Sequence, residues 1–168
     1  ALFSDWNKLV DSHQAPTNAL VPTYAHVVAL MNKAAKPNDT LVAAAGGPPG
    51  EVQKGWRVKD ANTYDCEFGF SCMGYELAAG WGHAMAKNGD GTPMVILGDG
   101  TYMMMNSDIY SSVLTGHKFI AVVCDNGGYA VINRLQNFKG VPSFNNLIKD
   151  CRVKEAFPVD VVKHAESM

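Results

Sequence analysis

Long apolar runs are missing from this sequence, and with them a membrane-spanning helix, which needs about 20 consecutive apolar residues. No signal-peptide pattern opens it. Runs of Lys and Arg are missing too. With 14 basic and 16 acidic residues the net charge is −2, so the clustered positive charge on which nucleic-acid binding rests is absent. The four cysteines, Cys66, Cys72, Cys124 and Cys151, form no C-x-x-C pair and lie in or beside apolar runs. That pattern favours buried free thiols in a reducing compartment over disulfides or zinc, and the chain is read as cytoplasmic. His26, His83, His117 and His164 make no H-x-x-x-H pattern and are assigned to structure or surface. No internal repeat or low-complexity segment occurs.

What is present is the composition of a globular domain, 47% hydrophobic and 18% charged over 168 residues, enough for one core. Apolar residues at helical spacing from Leu2 to Val10, broken by Asp11 to Pro16, suggest a helix and linker over residues 1–20, before one domain over 21–168. The first residue is Ala1 and not Met, which reads as a piece cut from a longer polypeptide or as a processed N-terminus.

The centre of the chain runs from Leu97 to Gly128. Pro93 to Leu97 and Phe119 to Cys124 are short Val- and Ile-rich runs closed by Gly98-Asp99-Gly100-Thr101 and Asp125-Asn126-Gly127-Gly128, so both read as buried strands. Tyr102 to Leu114 is long enough for a crossover helix, which makes a parallel strand-helix-strand unit. Asp99 and Asn126 then share the strand end at which open α/β sheets bind ligands. A carboxylate, an amide oxygen and the Gly128 carbonyl are hard ligands suited to Mg²⁺, and the glycines let backbone approach phosphate.

Elsewhere, Thr23 caps a helix from Tyr24 to about Ala35, and Leu41 to Ala45 is a first strand. Gly46-Gly47-Pro48-Pro49-Gly50 follows as a turn that can bring N–H groups onto a phosphate, without the G-x-G-x-x-G pattern or a P-loop lysine. Tyr64 to Tyr75 leads into a helix running to about Lys87. Asp65 and Glu67, flanking Cys66, read as separated surface groups and not as an acid/base pair. Met103, Met104 and Met105 are expected in the core. After Asn126 a glycine turn leads into a short helix. Asn145 to Lys149, Asp150 to Val153 and Val159 to Ala165 fit a final helix, strand and helix, with Phe157-Pro158 as a break. The alternation predicts a three-layer α/β/α fold around a mainly parallel central sheet.

Gly98-Asp99-Gly100, a crossover and Asn126 resemble the metal and diphosphate motif of thiamine diphosphate enzymes, in their C-terminal, diphosphate-binding domain. The family often has Asn-Asn where this chain has Asp125-Asn126, and its ligand is the second of the pair. The resemblance implies thiamine diphosphate and Mg²⁺ as cofactors, with Asp99, Asn126 and Gly128 as metal ligands. Cofactor contacts follow at Gly46, Gly47, Cys72, Gly98, Gly100, Thr101, Gly128, Tyr129 and Ala130. It further implies that the Ser71 carbonyl and the Met73 N–H hold the pyrimidine, while the Met73 side chain wedges the two cofactor rings into a bent arrangement. Leu135, where one branch has Trp, would line the substrate pocket. No catalytic residue proper is expected within the chain, because the activating glutamate of this class lies on an N-terminal domain.

Three longer blocks, CEFGFSCMGYELAAGWG, GDGTYMMMNSDIYSSVLTGHK and CDNGGYAVINRLQNFKGVPSFNNLIKDCRVKE, are similar to the branch that hydrolyses trihydroxycyclohexanedione, a cyclic 1,2-diketone, in inositol breakdown. The expected partners are that small-molecule diketone, the N-terminal domains of a full-length enzyme and further copies in a homo-oligomer, with no nucleic acid and no membrane. Acetolactate synthase-like or 2-keto acid decarboxylase-like chemistry and a non-catalytic oligomerisation module are the alternatives. A haloacid dehalogenase-type phosphatase would need a D-x-D loop, and none occurs.

Overall fold

The computed structural model describes residues 1–152 and 159–168. Four parallel strands, β1 (Thr40–Ala43), β2 (Tyr64–Cys66), β3 (Pro93–Gly98) and β4 (Ile120–Cys124), form one sheet in the order β2-β1-β3-β4. The register pairs Val42 with Val95 and Gly98 with Cys124. Parallel neighbours need crossovers, which are supplied by helices α3 (Pro48–Gly55), α4 (Tyr75–Lys87), α5 (Asp99–Met105) and α6 (Ser107–Thr115). Helices α1 (Leu2–Gln14) and α2 (Tyr24–Ala34) precede the sheet, and α7 (Ala130–Phe138) and α8 (Val161–Glu166) follow it.

Side chains alternate across the strands, so each strand feeds two cores. Leu41, Ala43, Met94 and Ile96 meet Val28, Met31 and Ala35 at α2 and Val52 of α3. On the opposite face Val42, Val95 and Leu97 meet Leu77 of α4 and Tyr102 of α5. Helices on both faces give the three-layer α/β/α architecture. Each fully buried Leu, Ile or Val contributes about 1.5–3 kcal/mol by leaving water. Among the described residues, no helix is long and apolar enough to cross a membrane.

Several local expectations change. Helix α1 continues to Gln14 instead of breaking at Asp11, because its last turns are held from outside. Arg57 donates to Asn7 at 2.7 Å and Asp11 at 2.6 Å, and Gln14 donates to the Gly55 carbonyl at 3.2 Å. It ends where Pro16 disfavours helix at Ala15. β1 ends at Ala43 and not at Ala45, and the link after it is only residues 44–47, since Pro48 opens α3, where its fixed φ suits the first helical turn and its missing N–H costs nothing. The crossover is two helices, divided at Asn106, which closes α5 and opens α6. Met103, Met104 and Met105 are 48%, 53% and 43% exposed and not core. The short α5 has only its first residues, Gly100 to Tyr102, turned inward. All four cysteines are free, but none is fully buried: Cys66, Cys124 and Cys151 are half-buried and Cys72 is exposed.

Residues 145–149 are not a helix, and 150–152 are not a strand. The segment is drawn onto the loop after β4, with Tyr129 N–H donating to the Asn146 carbonyl at 2.7 Å and Ile148 N–H to the Gly127 carbonyl at 2.9 Å. Only a 3-10 turn, Ile148–Asp150, follows. Val153 and Phe157-Pro158 lie outside the described residues. The final helix is α8, capped by Asp160, whose side chain accepts from the Lys163 N–H.

Candidate cofactor site

The carboxyl ends of β1, β3 and β4 open onto one rim. There β3 hands over directly to α5, so Asp99 emerges beside the loop Asp125 to Gly128. The Asn126 N–H donates to Asp99 Oδ1 at 3.1 Å, and Gly127 N–H donates to Asp125 Oδ1 at 2.9 Å. Gly127 and Gly128 have φ of 79° and 132°, which favours glycine. Gly128 is further crowded: a Cβ there would stand 2.5 Å from the Asn146 carbonyl. A Cβ at Gly100 would stand 2.8 Å from the Tyr129 ring and 3.3 Å from the Gly128 carbonyl, so the bare backbone of Gly100 makes room for both.

The Asn126 side chain is paired through one of its two polar atoms. Its Nδ2 donates to the Tyr24 hydroxyl at 2.9 Å, whereas Oδ1 is buried with no hydrogen-bond partner. A buried orphan oxygen costs about 1–3 kcal/mol unless something binds it. Asn126 lines one cavity with Asp99 and Gly128, and a carboxylate, an amide oxygen and a main-chain carbonyl make a set of hard oxygen donors that fits Mg²⁺. Among the described residues, no group of three or more His, Cys, Asp and Glu side chains is placed to hold a metal, which leaves the donor set unlike that of a zinc centre.

Next to this point is a cleft of about 290 Å³. Of the residues singled out from sequence, it is lined by Gly46, Gly47, Ser71, Met73, Gly98, Gly100, Thr101, Asn126, Gly128, Tyr129, Ala130 and Leu135. Asp99 lines an adjoining cavity of about 660 Å³ with Asp125, Tyr129 and Lys149. Cys72 lines neither. No histidine of the described residues faces either space. Burial, with the Asp99 carboxylate nearby, pushes the Cys124 thiol up to about 11, so Cys124 stays protonated at neutral pH.

Two carboxylates hold the turn that carries Ser71 and Met73. Glu67 accepts from the Cys72 N–H at 2.7 Å and the Phe70 N–H at 2.9 Å, and these bonds hold its carboxyl below the usual range. Glu76 is completely buried. It accepts from Ala45 N–H at 2.9 Å and from Gly74 N–H at 3.2 Å, tying the end of β1 to the Met73 turn. Burial pushes its carboxyl up, against those bonds. Gly74, at φ 100°, sits where a Cβ would lie 2.1 Å from Met105 Cγ. Asp65 is likewise structural: it accepts from the Tyr75 hydroxyl and meets His83 Nε2, both at 2.9 Å. Burial and that bond push Tyr75 up to about 12. Two further histidines are engaged in structure: His26 completes the capping box of α2, and His164 Nδ1 meets the Tyr102 hydroxyl at 2.9 Å.

Glu76 and Tyr24 are absent from the set found by sequence reasoning. For Glu76 a signal exists, a single acid within the otherwise apolar Met73 to Trp81. Tyr24 carries no comparable signal.

Residues 44–168 match the family model described as thiamine pyrophosphate enzyme, C-terminal TPP binding domain. Among curated proteins, a 3D-(3,5/4)-trihydroxycyclohexane-1,2-dione hydrolase of Geobacillus thermodenitrificans is 37% identical over 122 residues, 73% of this chain and 19% of that protein. One of Clostridium botulinum (strain Alaska E43) is 33% identical over 175 residues, 98% of this chain and 25% of that protein. The chain thus spans a fifth to a quarter of the length of these relatives. Among solved structures, benzoylformate decarboxylase from Polynucleobacter necessarius superposes with a TM-score of 0.77 at 19% identity, covering 91% of this chain and 28% of that one. A thiamine diphosphate-dependent 4-hydroxybenzoylformate decarboxylase of Rhodococcus jostii gives the same TM-score at 16% identity, covering 91% and 27%. At such identities the likeness describes the fold alone.

Proposed function

The chain belongs to the thiamine pyrophosphate enzyme family as its C-terminal TPP-binding domain, and from that premise we propose that it is the cofactor-binding part of a thiamine diphosphate- and Mg²⁺-dependent hydrolase. In this reading the enzyme cleaves a carbon-carbon bond of the cyclic 1,2-diketone trihydroxycyclohexanedione, opening the ring to a deoxy-glucuronate. For the cofactor half of the proposal, the carrying observation is the buried, unpartnered Oδ1 of Asn126, a residue whose main-chain N–H is bonded to Asp99 and which lines one cavity with it. For the substrate half, support comes from relatives named for that activity at 33–38% identity.

Asp99, Asn126 and the Gly128 carbonyl would hold Mg²⁺. Backbone at Gly46, Gly47, Gly98 and Gly100, with Thr101 and the first turn of α7 from Ala130, would receive the diphosphate, because a helix N-terminus presents unpaired donors to an anion, and Tyr129, whose own N–H is taken by the Asn146 carbonyl, would flank it. The Ser71 carbonyl and Met73 N–H would orient the pyrimidine, and the flexible Met73 thioether would fill the gap between rings. Glu67 and Glu76 keep that turn in place. When bound, thiamine diphosphate supplies a carbon nucleophile that also accepts the electron pair released on bond cleavage. Leu135, half exposed on α7, would meet substrate. The activating glutamate would come from an N-terminal domain of the full-length enzyme, and the many exposed apolar side chains would be covered by that domain and by a second copy. The isolated chain would then bind cofactor weakly and not turn over.

Calorimetric titration of thiamine diphosphate with and without Mg²⁺, on the native domain and Asp99→Ala, tests the site. Magnesium-dependent binding lost in Asp99→Ala is expected. Ring opening of the diketone by the full-length enzyme tests the substrate. Turnover of 2-keto acids without turnover of the diketone would overturn that assignment.

A further inference from the structure

One side chain bonded to Asn126 at the proposed metal site lies outside the site's motif. Tyr24 is the first residue of α2, whose start is locked by a capping box: Thr23 Oγ1 accepts from the His26 N–H at 3.4 Å, and the Thr23 N–H donates to His26 Nδ1 at 3.2 Å. From there the ring lies against the Gly46-Gly47 turn so closely that a Cβ at Gly47 would stand 2.6 Å from Tyr24 Cε2. The hydroxyl then meets Asn126 Nδ2 at 2.9 Å, across 102 positions of sequence.

A carboxamide has two faces, an accepting oxygen and a donating NH₂, and only the oxygen can ligate a cation. A half-turn about its last bond exchanges them at almost no steric cost. Asn126 is held by its main-chain N–H on Asp99 and its Nδ2 on Tyr24, which leaves Oδ1 buried and unpartnered. We propose that Tyr24 is a positioning residue that accepts the Asn126 NH₂ and thereby keeps Oδ1 turned to the divalent cation. Helix α2 and the Gly46-Gly47 turn are thus coupled to cation affinity. The inference rests on the reading that Asp99 and Asn126 hold a divalent cation.

Mn²⁺ reports binding directly through its electron paramagnetic resonance signal. The test titrates Mn²⁺ into the full-length enzyme with saturating thiamine diphosphate, comparing the native protein with Asp99→Ala, Tyr24→Phe, Asn126→Asp and the double variant Tyr24→Phe/Asn126→Asp. Removing a side chain that orients a ligand typically costs 10–100-fold in metal affinity. Tyr24→Phe is therefore expected to raise the Mn²⁺ Kd at least about 10-fold, with the metal-free protein still folded and its unfolding midpoint lowered only by the loss of one hydrogen bond. Aspartate has oxygen on both faces, so in the Asn126→Asp background the same substitution should cost less than about 2-fold. Unchanged affinity in Tyr24→Phe overturns the inference, and so does an equal loss in both backgrounds, which marks a merely structural role. Mn²⁺ binding that survives Asp99→Ala, or is missing from the native enzyme, removes the metal-site reading, and the role of Tyr24 falls with it.

Discussion

Glu76 offers the sharpest test of the packing behind the site. Its carboxyl group has no exposed surface and accepts one N–H on each oxygen, from Ala45 and Gly74. Desolvation dominates and raises its pKa above 4.5, with the N–H bonds opposing. The folded state therefore keeps this proton to higher pH than the unfolded state does. Stability then falls as pH rises, starting near 4.5 and continuing through the folded value, because there the native state binds more protons. The slope cannot exceed about 1.4 kcal/mol per pH unit for one group. Glu76→Gln imitates the protonated acid, with one accepting oxygen and one group that cannot accept. In acid it should lie within about 1 kcal/mol of the native chain, since each has one imperfectly paired N–H. As pH rises, the native chain loses the stability that the glutamine variant keeps, so the variant should draw level and then exceed it. Glu76→Leu, which orphans both N–H groups, should cost about 2–5 kcal/mol in acid. Urea unfolding at intervals from pH 4.5 to pH 8 reads these differences as midpoints. A glutamine deficit that grows with pH would show that the hydrogen bonds outweigh burial, and the account of Glu76 would be wrong.

Leu77→Ala, at a completely buried position under β1 and β3, should cost about 2–5 kcal/mol, read from the same urea midpoints. Gly74→Ala must strain a φ of 100° and displace Met105, which should cost about 1–3 kcal/mol and weaken thiamine diphosphate binding with it. Normal cofactor affinity in a folded Gly74→Ala would detach that turn from the site. Arg57→Ala removes an exposed fork onto Asn7 and Asp11. It should change global stability by no more than about 1 kcal/mol while speeding amide exchange in α1.

The parts of this fold that could be read directly were those whose physics is local. β1, β3 and β4 are short β-branched runs with glycine at their ends, and Thr23 announces α2 by its own hydroxyl. The carboxylate and amide of Asp99 and Asn126 were visible because glycines bracket both. The misread segments depend on distant partners. Residues 145–149 have helical composition but surrender their N–H and C=O groups to Gly127 and Tyr129. Pro48-Pro49 has the composition of a turn, and only its place at the start of α3 makes it helical. The methionines after Tyr102 are apolar by type, yet the turn of a seven-residue helix that carries them faces outward. Glu76 and Tyr24 matter through bonds to residues 31 and 102 positions away, and no local pattern encodes such a partner.

The bond between Tyr24 and Asn126 also bears on how the chain reaches its native state. Closing a loop costs entropy that grows only as the logarithm of its length, and structure formed between the two ends shortens the flexible chain that remains to be closed. Here the intervening chain contains β1, β2, β3 and β4 and four crossover helices. A nascent chain released up to β3 already holds the middle of both cores, yet it has no acceptor-facing amide and no second rim for the cleft. The cofactor cleft therefore needs the chain from Gly46 to Leu135 in place before it can hold a ligand.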